Sequence, residues 1–406
     1  MDLQAFYATF DSRVRAIVAY GYDHSPAFRQ RMDAAGLTPG DISGAAELSR
    51  LPVLRKEDLA AIQRQGPGLG GMLTVPLSAL RRVFQSPGPI YDPEPDEPDS
   101  WRWAPAFSAA GFGPGDLVLN CFGYHLTPAG VMFEEGARAV GATVIPAGIG
   151  GQPQQIEAMV NLGVTAYAGL PSYLKALLEK AVEQGHDPRA WPLNKAFVAA
   201  EPLPPSLRAL FEEQYGIRVY DGYGTAETGN LGYNGPERQG WHLPSDALVQ
   251  VCDLNTGQPL PPGQTGEVVV TLFRRDYILV RFAVGDLSAV MEPGPPTSIA
   301  TPRLVGWLGR SGDSVKVRGI FVHPRHINEA LAGLAGLSAY QTLVTRENHR
   351  DELVCRVVAA PDSNPEAVAA RVSSALQDAL KLHCRVELAP SLPADAALFV
   401  DQRTWE

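Results

Sequence analysis

Residues 309–324 read Gly309-Arg310-Ser311-Gly312-Asp313-Ser314-Val315-Lys316-Val317-Arg318-Gly319-Ile320-Phe321-Val322-His323-Pro324. The stretch begins with glycine and polar residues that are typical of a turn. Apolar and polar residues then alternate from 315 to 322, which predicts a β-strand. Pro324 suits the first turn of a helix, and the spacing of Ile327, Ala330 and Leu331 predicts that helix.

The residues that follow predict a small α+β domain. Beyond residue 313 the pattern runs strand, helix, strand, strand, helix and strand, with the last helix near residues 365–382. Strands and helices mixed in this order suit helices packed on a small sheet. We therefore assign residues 312–406 to a small C-terminal α+β domain.

The residues that precede the stretch predict a large α/β domain over 1–311. The first hundred residues have the spacing of amphipathic helices, and from 101 to about 231 apolar runs alternate with helical patterns. Runs at 117–119, 142–145 and 217–220 predict strands, and residues 172–184 predict a helix. This alternation favours mainly parallel sheets with helices on both faces, and hairpin patterns over 247–288 add a small β-subdomain.

Composition and charge exclude several classes of protein. The chain has 406 residues, a net charge of −10, and 45% hydrophobic and 19% charged residues. The negative balance argues against nucleic-acid binding and against anionic membranes, which both need a basic face. We expect no secretory signal and no membrane span. Four cysteines without zinc or disulfide spacing predict reduced thiols and a cytoplasmic location.

Three motifs give the chain a family resemblance. Residues 220–229 read Tyr220-Asp221-Gly222-Tyr223-Gly224-Thr225-Ala226-Glu227-Thr228-Gly229, and residues 281–286 read Arg281-Phe282-Ala283-Val284-Gly285-Asp286. With residues 309–324, called the crossover motif below, they resemble the adenylate-forming superfamily of acyl-CoA synthetases, nonribosomal adenylation domains and luciferases. The Phe-Val-His-Pro ending is similar to the phenylacetate–CoA ligase branch. The resemblance implies an acyl adenylate, a pantetheine thiol as acceptor, and a small C-terminal domain that acts as a mobile lid.

The same resemblance implies roles for individual residues. Nucleotide binding is implied for Glu201, Tyr223, Gly224, Glu227 and Asp286. Among them Tyr223 would pack on adenine, Asp286 would bind the ribose hydroxyls, and Glu227 would help to hold Mg²⁺ if nucleotide binds. The residues implied for the acyl pocket are Phe122, Tyr124 and Gly222, and those implied for CoA or pantetheine are Lys316, Arg318 and Gly319. Taken without the family, the same residues also fit ordinary turns and a strand end in the core.

Three phosphate contacts of the family are changed in this chain. The family's phosphate loop is rich in Ser, Thr and Gly and ends with lysine, whereas residues 84–91 contain two prolines without N–H donors and are followed by an acidic stretch at 92–97. Ala226 replaces a threonine, and Ala397 stands where the family has its C-terminal lysine, with Arg403 several positions away. Since one such donor is worth about 3 kcal/mol, we expect adenylation to be slowed by about 10⁴-fold or more.

The segment 51–59, Leu51-Pro52-Val53-Leu54-Arg55-Lys56-Glu57-Asp58-Leu59, also resembles a segment of the phenylacetate–CoA ligase branch. Taken without the family, the segment fits a loop that leads into a helix, and by itself it says nothing about chemistry.

These observations leave three hypotheses for the function. The first is transfer of an acyl or aryl group from CoA to a thiol acceptor, such as the phosphopantetheine of a carrier protein, without efficient adenylation. The acyl group would wait on AMP, or on Cys121 activated by His125; alternatively, Cys121 is a buried small apolar residue. The second hypothesis is an ATP-dependent, AMP-forming aryl-CoA ligase, and the third is a non-catalytic CoA- or nucleotide-binding relic. Aromatic residues near 103 and 122 favour an aromatic acyl group.

Overall fold

The computed structural model describes residues 2–86, 89–254, 256–312, 315–318, 320–322, 324–393 and 396–404. The chain divides into two compact units: Met1–Leu203 with Arg208–Ser311, and Pro204–Leu207 with Gly312–Glu406. Within the described ranges, every helix is too short or too polar to span a lipid bilayer.

Amphipathic helices dominate the N-terminal part of the larger unit. Its elements are α1 (Leu3–Ala8), α2 (Asp11–His24), α3 (Pro26–Ala34), β1 (Leu54–Arg55), α4 (Lys56–Gln63), α5 (Pro67–Gly71), β2 (Arg82–Ser86), β3 (Ile90–Glu94) and α6 (Ala104–Ala109). On α2 the buried residues Val14, Ile17 and Val18 recur at helical spacing and form one apolar face. The start of α3 is fixed by Ser25, whose hydroxyl accepts a hydrogen bond from the Phe28 N–H.

An eight-stranded sheet forms the centre of the larger unit. The elements here are β4 (Leu117–Asn120), α7 (Ala129–Ala139), β5 (Thr143–Pro146), α8 (Gln152–Leu162), β6 (Ala166–Gly169), α9 (Pro171–Glu183), β7 (Lys195–Val198), α10 (Pro205–Ala209), β8 (Arg218–Thr225), β9 (Gly229–Tyr233) and β10 (Trp241–His242). Strands β5, β4, β6, β7 and β8 are parallel neighbours in that order. The predicted α/β class and mainly parallel sheet are therefore confirmed.

A second sheet of five strands completes the larger unit. Its further strands are β11 (Ala247–Cys252), β12 (Gly266–Leu272) and β13 (Phe282–Ser288), followed by β14 (Arg303–Leu304) and β15 (Gly309–Arg310). The order is β1-β13-β12-β11, and β15 pairs with β13, whereas β14 extends the eight-stranded sheet. The pairs β11–β12 and β12–β13 are antiparallel, as the hairpin pattern of 247–288 predicts.

The smaller unit is an α+β layer, as predicted. Its elements are β16 (Val315–Val317), β17 (Ile320–Val322), α11 (Pro324–Leu331), β18 (Leu337–Glu347), β19 (Arg350–Ala359), α12 (Pro365–Leu380), β20 (Cys384–Leu388) and β21 (Phe399–Asp401). Four strands pair in the order β20-β19-β18-β21, and α12 buries Val368, Val372 and Leu376.

The prediction of one strand over 315–322 is wrong. The segment is a hairpin in which Val315 pairs with Val322 and Val317 with Ile320. Arg318 begins the turn with a φ of +49°. An alternating pattern persists through a tight hairpin turn, so periodicity alone does not separate the two structures.

Candidate active site

Most predicted residues of the larger unit follow strands of the eight-stranded sheet at one edge, whereas Asp286 lies on β13 of the five-stranded sheet. Strand β4 leads into residues 121–127, β7 leads into 199–203, and β8 carries residues 222–225 at its own end. Since β4, β7 and β8 are parallel, these carboxyl-terminal ends lie on the same edge. Open α/β sheets bind ligands at this edge.

Phe122 and Gly222 belong to one buried aromatic cluster. The ring of Phe122 stacks on Phe133 with centroids 4.0 Å apart, and Phe133 lies 4.4 Å from Trp103. A Cβ added to Gly222 would lie 2.7 Å from the Phe197 ring, so the ring packs where only a glycine leaves room. The structure thus places two of the three predicted acyl-pocket residues together, in an apolar environment.

Tyr124 lies in a hydrogen-bonded environment at the same edge. Its hydroxyl donates to Glu134 Oε2 at 2.9 Å and accepts from Asn120 Nδ2 at 2.7 Å. Burial and the Glu134 carboxylate raise the pKa of Tyr124, so it stays a neutral donor. Asn120 also donates to the Gly130 carbonyl, which ties the end of β4 to α7.

The structure gives no support to Cys121 as a nucleophile activated by His125. Cys121 is 1% exposed, and burial raises the pKa of its thiol, which disfavours the reactive thiolate. His125, by contrast, is exposed. The environment of Cys121 is that of a buried small apolar side chain, the alternative interpretation.

Asp286 is the centre of a polar cluster that we call the ribose end, formed with Tyr223, Trp307 and Arg310. Asp286 Oδ2 accepts from the Tyr223 hydroxyl at 2.9 Å, and Oδ1 accepts from Trp307 Nε1 at 3.0 Å. Arg310 Nη1 forms an ion pair with Oδ1 at 3.0 Å. A buried carboxylate with three donors is fully compensated, so Asp286 is held in place with its charge.

Tyr223 already has an aromatic partner. Its ring stacks on Trp241 with centroids 5.2 Å apart and an interplanar angle of 10°. Burial, reinforced by the Asp286 charge, raises the pKa of Tyr223 well above its ordinary value, so its hydroxyl remains a donor. One face of the predicted adenine platform is thus covered by protein.

Lys56 and Glu227 form the centre of a second polar cluster, the phosphate end, which also contains Asp92. Lys56 Nζ lies 2.7 Å from Glu227 Oε1, and the two side chains are 17% and 1% exposed. Burial alone would raise the pKa of Glu227, but Lys56 and the Thr225 hydroxyl lower it below the usual value. Glu227 is therefore a buried, charged carboxylate that is neutralised by a lysine from α4.

Asp92 brings a second buried carboxyl group to the phosphate end. It is 2% exposed, and neither oxygen meets hydrogen-bond geometry with a described residue. Burial and the charge of Glu227 raise the pKa of Asp92 well above its ordinary range, although Lys56 opposes this shift. One lysine is thus shared by two acidic side chains.

The predicted phosphate loop spans residues 84–91, of which 87 and 88 lie outside the described residues, and the rest of the unit holds the flanking strands β2 and β3 firmly. Gln63 on α4 donates to the Tyr91 carbonyl and accepts from the Tyr91 N–H, both at 2.8 Å. The Gln85 N–H donates to the Leu126 carbonyl at 2.7 Å. Glu94 pairs with Arg82 through both oxygens at 2.9 Å, so part of the acidic stretch is neutralised.

Glu201 and Gly224 lie in turns that follow β7 and end β8, and their nucleotide-binding roles stay predictions. Glu201 accepts a hydrogen bond of 3.4 Å from the Ser172 N–H at the start of α9. A Cβ at Gly224 would lie 2.2 Å from the Gly229 carbonyl oxygen, so the turn from β8 to β9 requires glycine there. Glu201 thus ties the turn after β7 to α9, and Gly224 permits the close approach of β8 and β9.

In the smaller unit, Lys316 and Arg318 lie on and just beyond β16. Arg318 Nε donates to the Asp351 carbonyl at 2.7 Å, and the Lys316 carbonyl accepts from Arg403 Nη1 at 2.7 Å. Gly319, the third predicted CoA residue, lies outside the described residues.

Comparison with known proteins identifies the family. The family model of the AMP-binding enzymes matches residues 103–271, and that of the AMP-binding enzyme C-terminal domain matches residues 319–396. Phenylacetate–coenzyme A ligase of Thermus thermophilus is 30% identical over 360 residues, 86% of this chain and 80% of that protein. The chain belongs to the phenylacetate–CoA ligase branch of the adenylate-forming superfamily.

A further relative and a solved structure match most of the length of this chain. Phenylacetate–coenzyme A ligase of Escherichia coli is 28% identical over 88% of the chain and 82% of its own length. A solved 2-hydroxyisobutyryl-CoA ligase, in complex with 2-HIB-AMP and CoA, has a TM-score of 0.87 at 26% identity and covers 99% of the chain and 91% of its own. The relatives are acid–thiol ligases, and none of those named is a CoA-to-carrier transferase.

Lys56 is the branch residue whose role the sequence interpretation missed. The interpretation of the surrounding segment as a loop leading into a helix agrees with the structure, because α4 begins at Lys56, but it did not predict that the Lys56 side chain reaches Glu227. Lysine occurs at six positions in the chain, so there were few candidates for a cation near the phosphates.

A magnesium site at Glu227 is consistent with the donors present. Carboxylate oxygens such as those of Glu227 and Asp92 are the ligands that Mg²⁺ prefers. Within the described ranges there is no group of three or more His, Cys, Asp or Glu residues that could hold a metal, so a nucleotide would have to supply further oxygens. The Glu227 assignment stays a prediction.

Proposed function

We propose that the chain is an AMP-forming acid–thiol ligase, which activates a small carboxylic acid with ATP and passes the acyl group to CoA. In the first step the acid's carboxylate attacks the α-phosphorus of ATP, which forms an acyl adenylate and releases pyrophosphate. In the second step the CoA thiol attacks the acyl carbonyl and AMP leaves. The named relatives catalyse ligations to CoA, which supports this class of reaction.

The ion pair between Lys56 and Glu227 is the observation that carries the proposal. The changed phosphate loop and Ala397 lack lysines that the family has around the phosphates. Lys56 supplies one cation beside Glu227. When nucleotide binds, Lys56 can exchange its contact with Glu227 for a phosphate oxygen, and Glu227 would then help to hold Mg²⁺, which would supply further positive charge to the phosphates. Preorganised charge of this kind is the main source of catalysis in phosphoryl transfer.

The ribose end and the aromatic cluster supply the remaining parts. Asp286 accepts from three donors, and a ribose hydroxyl can replace the Tyr223 donor without leaving the carboxylate unpaired. The buried rings around Phe122 and Gly222 favour an acid with an apolar, aromatic or compact acyl group.

The competing hypothesis of transfer from CoA to a carrier protein receives no support from the relatives. Its covalent version required a reactive thiol, and the buried Cys121 has a raised pKa instead. A carrier protein therefore has no place in the proposed reaction.

A paired assay on the purified full chain tests the proposal. The chain is supplied with ATP, Mg²⁺, CoA and a panel that includes phenylacetate, benzoate and 2-hydroxyisobutyrate. We expect pyrophosphate and acyl-CoA in equal amounts with at least one acid. ATP-independent transfer of an acyl group from acyl-CoA to a pantetheine thiol, without pyrophosphate release, would contradict the proposal.

A further inference from the structure

Asp351 in the smaller unit is a meeting point for three arginines. Its carboxylate accepts from Arg403 Nη1 at 2.8 Å on Oδ2 and from Arg346 Nη1 at 3.0 Å on Oδ1. Its main-chain carbonyl accepts from Arg318 Nε at 2.7 Å. These arginines come from the C-terminal segment, strand β18, and the hairpin of β16 and β17, so Asp351 connects three parts of the chain.

Arg403 makes the complementary set of contacts. Its Nε and Nη2 donate to Asp401 Oδ1 and Oδ2 at 2.9 and 2.7 Å, and its Nη1 donates to the Lys316 carbonyl at 2.7 Å. The side chain is 3% exposed. The planar guanidinium can satisfy these acceptors at once, which a lysine ammonium at the end of a flexible chain cannot do in the same geometry.

Two points of the β16–β17 hairpin, one on β16 and one at the turn, are thereby fixed to the rest of the smaller unit. Arg403 holds the main chain at Lys316, and Asp351 holds the side chain of Arg318, the residue that begins the turn. Asp351 and Arg403 are buried, with side chains 7% and 3% exposed, so their charge-assisted bonds act in a medium of low dielectric constant. An exposed pair would be too weak for such a role.

We propose that Asp351 and Arg403 are positioning residues for the CoA step, because they hold the β16–β17 hairpin in the geometry that presents Lys316 and Arg318 to CoA. The inference rests on the proposed ligase function. It also assigns a use to Arg403, the cation nearest the C-terminus. Its donors hold Asp401, Asp351 and the Lys316 carbonyl, so in this arrangement it supports the hairpin and does not replace the family's C-terminal lysine.

The two half-reactions provide the test, because a positioning role predicts a selective effect. Asp351→Asn and Arg403→Gln are assayed for pyrophosphate release with acid and ATP, with hydroxylamine present to trap the acyl adenylate. They are then assayed for acyl-CoA formation from a supplied acyl adenylate, at varied CoA. We expect the second step to fall by about 10- to 100-fold, mainly through a higher KM for CoA, with the first step within about twofold.

Three comparisons make the result specific. Arg403→Lys keeps the positive charge but lacks the planar guanidinium, so it should recover part of the activity lost in the CoA step. Arg356→Gln, at a residue of the same unit whose side chain is 46% exposed and pairs with Glu387, is the matched control and should change neither step. Hydrogen exchange of residues 315–322 should become faster in Arg403→Gln, which loses the contact with the Lys316 carbonyl, and stay unchanged in Arg356→Gln.

The outcomes separate the two proposals. If the wild type releases no pyrophosphate and forms no acyl-CoA from any acyl adenylate, the ligase function fails. The positioning role of Asp351 and Arg403 is then tested by hydrogen exchange and by CoA affinity measured by calorimetry. Equal losses in both steps, or unchanged exchange over 315–322 in the variants, would overturn the positioning role.

Discussion

The ribose end and the phosphate end of the larger unit both contain a buried carboxylate, and they neutralise its charge in different ways. At the ribose end, Asp286 has three donors, including the cation Arg310. At the phosphate end, Glu227 and Asp92 are both buried and share Lys56 as their neighbouring lysine. The first cluster is compensated before nucleotide arrives, whereas the second holds more acid than base.

This difference shows that one motif alone does not define the charge of a site. Asp286 and Glu227 each match a family motif, but their partners Arg310 and Lys56 come from other segments, the crossover motif and residues 51–59. The partner determines whether a buried carboxylate is stable. It also determines whether the carboxylate can exchange that contact for one with a ligand. Substitutions at the two ends should therefore have unequal effects.

The largest effect is expected for Lys56→Met, which keeps the apolar stem and removes the charge. Glu227 would be left buried without its cation, so the free energy of unfolding should fall by about 3 kcal/mol. Pyrophosphate release should fall by about 10²–10³-fold. Urea unfolding and a pyrophosphate assay measure the two effects. Lys175→Met removes a pair with Glu179, whose side chain is 55% exposed and therefore does not depend on the lysine for neutralisation, and is the control, with less than about 0.5 kcal/mol expected. Equal behaviour of the two variants would contradict the role of Lys56.

A somewhat smaller effect is expected for Asp286→Asn at the ribose end. The amide keeps the shape but loses the ion pair with Arg310 and turns one acceptor into a donor that faces other donors. The apparent affinity for ATP should fall by about 10- to 100-fold, measured as KM or by calorimetry. Tyr223→Phe removes one O–H donor and should cost about tenfold or less. If both variants behave alike, Asp286 is not the residue that organises this end.

Asp92→Asn should stabilise the protein, in a pH-dependent manner. Burial and the Glu227 charge raise the pKa of Asp92, so the folded state binds this proton more tightly than the unfolded state. Wild-type stability is therefore lost as the pH rises above the ordinary aspartate value of about 4, and the variant avoids that loss. We expect a gain of about 1–3 kcal/mol at pH 7 that disappears near pH 4, measured by urea unfolding across this range.

Asp116→Asn is the control with the opposite sign. Burial alone would raise the pKa of Asp116, but hydrogen bonds from Lys195, Gly113 and Thr165 lower it. Its stabilising contribution is present above the ordinary pKa and is lost as the pH falls, so this variant should be less stable at pH 7. If the difference in unfolding free energy between Asp92→Asn and the wild type did not change with pH, burial would not be disfavouring the charged form of Asp92.

The smallest effect is expected for Cys121→Ala. A buried thiol with a raised pKa takes no part in the proposed reaction, so both half-reactions should stay within about twofold of wild type. Intact mass spectrometry after incubation with acyl-CoA should show no adduct on the wild type. An acyl adduct that disappears in the variant would restore the covalent transfer hypothesis.

The amino-acid sequence by itself determined the fold class, the parallel strands and the motif positions. Apolar runs such as 117–119 and 267–271 are strands in the structure, because burial of apolar residues at a regular spacing is a local property. The motif segments could be located for the same reason: a strand end, a turn and their side chains lie within a few residues of each other.

Tertiary structure alone decided the partners of the charged groups. Lys56 meets Glu227, and Arg403 meets Asp351 and Lys316, across long separations in the chain. The local periodicity of the sequence does not predict these long-range contacts, since they depend on which segments the sheets bring together. The turn at Arg318 was similarly hidden, because both arms of the hairpin carry the same alternation. Water screens a charge from distant residues, whereas a buried charge is stable only if a partner lies beside it.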